Sequence, residues 1–370
     1  MQPESGADGP AGHHETTKRI VKKVGILTFH QVHNFGAVLQ AWALSASIRA
    51  LGHTAVVIDY RPPDAHTVNS RQGLRALVPS LGKVRMERFV QRNIPLSGDI
   101  LTTHDALQAH VAGGGYDALV CGSDQVWFSL PDKAYDPAYF LDLPGPDNLR
   151  RFSYAPSAGP LQDFGPLTDR IAPALARFDA ISVRDANTMA AVSKLQTPPV
   201  TRVVDPTMIA DFTPLLKGAP KRDFIAVVGR TDAAAERYIR FAADTLGLPV
   251  ISFGTRCSAA DRKQPFASPQ EWLAAVAGAR LVITSLFHGA AISLALRTPF
   301  VALDCGGRAF KLEDLCGYCG TPERLLRRPA GQEDYVQDAA LLRMEYAALE
   351  PRLQQTAEAS RHYLEQAING

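Results

Sequence analysis

The chain has 370 residues, 46% of them hydrophobic and 21% charged, and its 39 basic and 37 acidic side chains leave a formal net charge of +2. That length exceeds one ordinary domain and the apolar content can fill a large core, so two globular domains are expected rather than a disordered or fibrous chain. The charge balance lacks the clustered basic excess of a nucleic-acid binder, which excludes that class of partner.

Residues 1–21 are polar and contain no apolar h-region, so they read as a disordered tail carrying His13 and His14, not as a secretory signal. No stretch is apolar for long enough to span a bilayer. The five cysteines, Cys121, Cys257, Cys305, Cys316 and Cys319, are odd in number and irregularly spaced, which argues against a disulfide framework and for a reducing compartment. The expected location is cytoplasmic, with contact at the inner membrane face open to it.

The first strand is expected at Lys23–Phe29, an apolar run rich in β-formers. A polar loop, His30–Phe35, leads to a helical stretch from Gly36 that stops at Gly52, and a second strand follows at Thr54–Asp59. Strand, loop, helix and strand in this order form a βαβ unit, the building block of parallel sheets. Further strands are expected at Tyr116–Cys121, Arg151–Ala155 and Ala180–Val183. Pro, Gly and Lys then cluster within residues 211–223, the expected boundary between domains. A second series begins at Phe224–Val228 and continues with helix Ala233–Leu246, strand Val250–Phe253, helix Pro269–Ala277, strand Leu281–Ile283, helix Gly289–Leu296 and strand Phe300–Leu303. The expected division is residues 22–215 for a first Rossmann-like domain on the acceptor side, 216–345 for a second on the donor side, and C-terminal helices over 346–370, broken near Pro351. Ligands of open α/β sheets bind at the carboxyl ends of the strands. The rule selects five loops as the lining of one interdomain cleft: His30–Gly36, Gly122–Trp127, Ser153–Gly159, Arg184-Asp185 and Ser285–Gly289.

Six stretches occur in an order that resembles the polysaccharide pyruvyl transferase family: GILTFHQVHNFGAVLQAWAL, DALVCGSDQVW, FSYAPSAG, ISVRDANT, VVDPTM and ITSLFHGAAISLAL. The resemblance covers the chain from about Lys23 to about Leu326. It implies a GT-B-like fold, two Rossmann-like domains facing a cleft. It also implies transfer of the enolpyruvyl group of phosphoenolpyruvate to sugar hydroxyls, with a saccharide acceptor, free or lipid-linked, and with no cofactor or metal. Such a reaction needs a general acid to protonate the methylene carbon, a base to help the hydroxyl, and donors that hold the carboxylate and phosphate.

His288 opens a helix after a strand, where free N–H groups favour anions, and Ser285, Gly289 and Ala290 would complete that nest. The resemblance makes His288 the general acid. Arg184, in S-V-R-D, matches the donor-binding arginine, a role its planar fork suits. Asp124 in G-S-D-Q-V-W is the candidate base, beside Ser123, and Trp127 is the candidate platform for a pyranose face; an Asx turn and a packed tryptophan would account for both equally. Asn34 and Gly36 would bind the acceptor or shape the first βα turn, with His30 and His33 flanking them, and Asp205 is expected to be structural first and a cleft residue second.

One position departs from the family: Leu286 stands where better-known members carry arginine, which leaves Arg308, Lys311 or Arg230 to supply the missing cation. Two other readings stay open. A GT-B glycosyltransferase using a nucleotide sugar would require an acidic ribose-binding residue, for which Glu313 or Asp314 could serve; a non-catalytic glycan-binding module is the other. Cys316 and Cys319 form a lone C-x-x-C, expected to be buried structure and not a metal site.

Overall fold

The computed structural model describes residues 20–32, 34–62, 81–128, 135–216, 223–305, 309–327 and 335–370. In the first half, β1 (Lys23–Leu27), α1 (Phe35–Ala50) and β2 (Thr54–Val57) form the expected βαβ unit. It is followed by α2 (Leu81–Asn93), α3 (His104–Gly113), β3 (Ala118–Cys121), β4 (Arg150–Ser153), α4 (Thr168–Leu175), β5 (Ile181–Val183), α5 (Ala186–Val192) and β6 (Val200–Arg202). The second half contains β7 (Ile225–Val228), α6 (Ala233–Leu246), β8 (Val250–Phe253), β9 (Arg262–Gln264), α7 (Pro269–Gly278), β10 (Leu281–Thr284), α8 (Phe287–Ala295), β11 (Phe300–Leu303), α9 (Phe310–Cys319), β12 (Leu325–Leu326) and α10 (Glu350–Asn369).

Every strand pairing among the described residues is parallel, in sheets ordered β2-β1-β3-β4 and β12-β11-β10-β7-β8-β9, with β5 and β6 as a separate pair. The central strands ALVC, IAVV, LVIT and FVAL are buried throughout, as strands covered by helices on both faces must be. Strands β6, β9 and β12 have no counterpart among the expected elements. Strands β6 (VTR) and β9 (RKQ) are short and largely polar and β12 has two residues, so none leaves an apolar pattern.

One apolar cluster runs from β1, α1 and β3 across to α7, α8 and α10. Phe35 stacks on Trp272 at 5.8 Å between ring centroids, and Arg85 pairs with Glu271 at 2.7 Å, so the two halves are in direct contact. Pro351 lies in the first turn of α10, where its missing N–H costs nothing, so it starts a helix and does not break one. Helix α10 returns to the first half: Arg150 Nε donates to the Ala367 carbonyl at 3.1 Å, and the Tyr363 hydroxyl donates to the Ser153 carbonyl at 3.0 Å.

At the carboxyl end of β1, His30 and Asp59 are both buried, and His30 Nε2 lies 2.9 Å from Asp59 Oδ1. Arg61 grips the same carboxylate with two bonds of 2.6 Å. Burial raises the Asp59 pKa, but the bonds and charges of His30 and Arg61 outweigh it and bring it from 3.8 down to about 2. A carboxylate depressed in the folded state stabilises above its unfolded value, and that stability is lost as pH falls from near 4 toward 2. The pH-dependent loss in urea stability between pH 6 and pH 2 should therefore be smaller in Asp59→Asn than in the parent, by roughly 2 kcal/mol. Parallel curves for the two proteins would contradict this.

Candidate functional site

Three of the five expected loops meet at Asp205, which is 1% exposed, and a fourth, through Gly36, packs against His288. Its Oδ1 accepts from the Thr207 amide at 3.0 Å and the Thr207 hydroxyl at 2.7 Å. Its Oδ2 accepts from Ser123 Oγ at 2.8 Å and from an Arg184 terminal nitrogen at 2.9 Å. His288 Nε2, from the second half, stands 3.4 Å from the same Oδ2, at ion-pair distance without a closed hydrogen bond. Burial alone would neutralise this carboxyl, but His288, Arg184 and Thr207 hold it far below the usual carboxylate range. It is an ionised group shared by Arg184 and His288, which come from opposite halves.

Local sequence explains these positions. Arg184 follows β5, and Asp185 caps α5 by accepting from the Thr188 amide at 2.9 Å, which turns the chain sharply after the arginine. The guanidinium lies over the Phe287 ring at 4.1 Å, and its buried Nε has no hydrogen-bond partner. His288 is the second residue of α8, whose N-cap, Leu286, supplies no side-chain cap. The imidazole packs against Gly36: a Cβ added there would fall 2.1 Å from Nδ1 and 2.4 Å from Cγ. A methyl group at position 36 must therefore displace the ring. Gly36→Ala should lower turnover at least tenfold while the far-ultraviolet spectrum stays native, and normal turnover would show that the ring position is immaterial.

The other candidates take the following positions. Trp127 is fully buried, donates from Nε1 to the Tyr139 carbonyl at 2.8 Å and stacks on Phe140, so no face is open to a sugar. An apolar ring after a strand end is drawn into the core when aromatic partners surround it. Ser123 is also fully buried and spends its hydroxyl on Asp205, which makes it a support and not a ligand contact. Asn34 caps α1, its Oδ1 accepting from the Gly36 amide at 2.9 Å. Ser285 donates to the Arg230 carbonyl at 2.8 Å, and Gly289 faces Thr284, where a Cβ would fall 2.1 Å from the hydroxyl. Both therefore tie α8 to neighbouring strands. Asp124 adopts φ 76°, a left-handed conformation that Asp tolerates, and its Oδ1 accepts from the Gln125 amide at 2.8 Å. Arg308 and His33 lie outside the described residues.

The acids suggested for a nucleotide ribose are engaged elsewhere. Glu313 pairs with Arg327 at 2.6 Å, and Asp314 with Arg202 at 2.7 Å. Cys316 and Cys319 are buried in α9, and burial pushes both thiols up to about 12. No cluster of three or more potential metal ligands occurs among the described residues. Because the thiolate is the reactive form, iodoacetamide at pH 8 should leave both cysteines unmodified in native protein and label them in urea, as read by mass spectrometry. Rapid native labelling would contradict this burial.

Comparison with known proteins agrees with this architecture. The chain is 13% identical to the glycotransferase of kitacinnamycin, with a TM-score of 0.50 over 95% of this chain and 98% of that one. It is also 13% identical to the spinosyn rhamnosyltransferase SpnG, with a TM-score of 0.49 over 94% of this chain and 100% of that one. No curated protein matches the sequence. The fold is α/β and GT-B-like, with Rossmann-like parallel sheets. A family model described as polysaccharide pyruvyl transferase matches residues 34–307, well over half of the chain, and that span contains Gly36, Arg184, Asp205 and His288. On that match, this chain belongs to the polysaccharide pyruvyl transferase family.

Proposed function

We propose that the protein transfers the pyruvyl group of phosphoenolpyruvate to a saccharide of a polysaccharide or its precursor, forming a pyruvate ketal. The observation that carries this reading is the convergence of Arg184 and His288, from opposite halves, on Asp205 Oδ2. Arg184 Nε is buried without a hydrogen-bond partner, and an unmet donor of this kind suits an anionic ligand.

In the proposed reaction the imidazolium of His288 gives a proton to the methylene carbon of the donor, and C2 becomes electrophilic. A sugar hydroxyl adds through oxygen to C2, and its proton passes to a carboxylate, for which the candidate is Asp124 in the loop after β3. A second hydroxyl of the same acceptor then bonds to C2 as the C2–O bond to phosphate breaks. Inorganic phosphate leaves and takes with it the proton held by Asp124, and the last hydroxyl proton returns to the depleted histidine. Arg184 holds an anionic group of the donor throughout, which fixes C2 and stabilises the departing charge. The five free cysteines fit a cytoplasmic site of action.

The test is calorimetric titration with phosphoenolpyruvate, beside phosphate release in the presence of saccharides that offer two neighbouring free hydroxyls. Saturable binding with acceptor-dependent phosphate release is expected. Binding of nucleotide sugars in place of phosphoenolpyruvate would overturn the proposal.

A further inference from the structure

We infer that Asp205 is the positioning residue of the site: it anchors the Nε2 edge of His288 and one arm of Arg184, and so presents Nδ1 of the imidazole and the rest of the guanidinium to the donor. The inference rests on the donor site proposed above and assigns its internal organisation.

The geometry supports a part built for this task. Each carboxylate oxygen has its own restraints, Oδ1 the amide and hydroxyl of Thr207, Oδ2 the hydroxyl of Ser123 and the guanidinium. Ser123 in turn lies 3.4 Å from the same Arg184 nitrogen, which closes a small ring of contacts around Oδ2. A carboxylate held from both ends is a fixed reference point for the two side chains that reach it. His288 then has one edge facing Asp205 and the other, Nδ1, against Gly36, where no side chain covers it. Nδ1 forms no hydrogen bond among the described residues, so it is the edge left to carry a proton to substrate.

The arrangement also has an electrostatic consequence. The carboxylate partly cancels the guanidinium charge that faces the donor, so it opposes binding of a multiply charged anion. A positioning carboxylate and a merely structural one therefore differ in what their removal does. Asp205→Asn keeps the shape but removes the charge. We expect phosphoenolpyruvate to bind this variant no more weakly than wild type, while turnover falls by about 10²–10³, because the proton donor loses its anchor. Thr207→Val is the gentler companion, since it removes one restraint on Oδ1 and leaves the carboxylate in place. It should keep donor affinity within threefold and lower turnover by about tenfold.

The experiment measures phosphoenolpyruvate dissociation constants by calorimetry and turnover by phosphate release for wild type and both variants. A loss of turnover without loss of affinity supports the role. Affinity and turnover falling together, or neither changing, overturns it, and Thr207→Val decides the matter alone if Asp205→Asn does not fold. If wild type itself neither binds nor consumes phosphoenolpyruvate, the proposed function fails and the assignment falls with it.

Discussion

Replacing Arg184 with alanine should abolish measurable phosphoenolpyruvate binding and also lower the stability of the free protein by about 3–5 kcal/mol. Both effects have one origin. Arg184 is 5% exposed and is bonded at 2.9 Å to Asp205, which is itself buried, so alanine leaves an ionised carboxylate with one cationic neighbour fewer and no water to replace it. The donor loses its counter-charge in the same step. Arg184→Lys separates the two. Its ammonium can still compensate Asp205, so most of the stability should return, but a point charge cannot bond Asp205 and a donor anion at once in the planar geometry of the fork. The expected pattern is a lysine variant near wild type in urea unfolding and at least tenfold weaker in donor titration. Normal donor binding by either variant would remove Arg184 from the site.

His288→Ala is expected to have the larger effect on chemistry and the smaller one on the fold. Turnover should fall by about 10²–10⁴, the range typical of a lost general acid. Donor affinity should change less, because Arg184 and the opening amides of α8 remain to hold an anion. Asp205 keeps Ser123, Thr207 and Arg184, so the loss of the imidazole does not orphan it. Steady-state phosphate release at saturating donor, with affinity measured separately, distinguishes this from a binding defect. Near-normal turnover in His288→Ala would end its role as acid.

The sequence by itself determined the succession of βα units, because buried parallel strands such as LVIT and IAVV announce themselves as short apolar runs followed by polar loops. It also determined the family, through motifs that are contiguous in the chain, and it placed Arg184 and His288 at strand ends, where open α/β sheets bind ligands. Only the tertiary structure decided which loop residues share a contact. Asp205 reads as an ordinary Asp-Pro turn, and its meeting with residues 123, 184 and 288 depends on how two sheets pack, which no local pattern encodes. The converse holds for Trp127 and Ser123. Their motif placed them beside the cleft, but one is drawn into an aromatic cluster and the other spends its hydroxyl on Asp205. Gly36 shows the same division. The sequence offers a glycine after a helix cap, whereas the reason that only a glycine fits is the imidazole of His288, brought against it from the other half of the molecule.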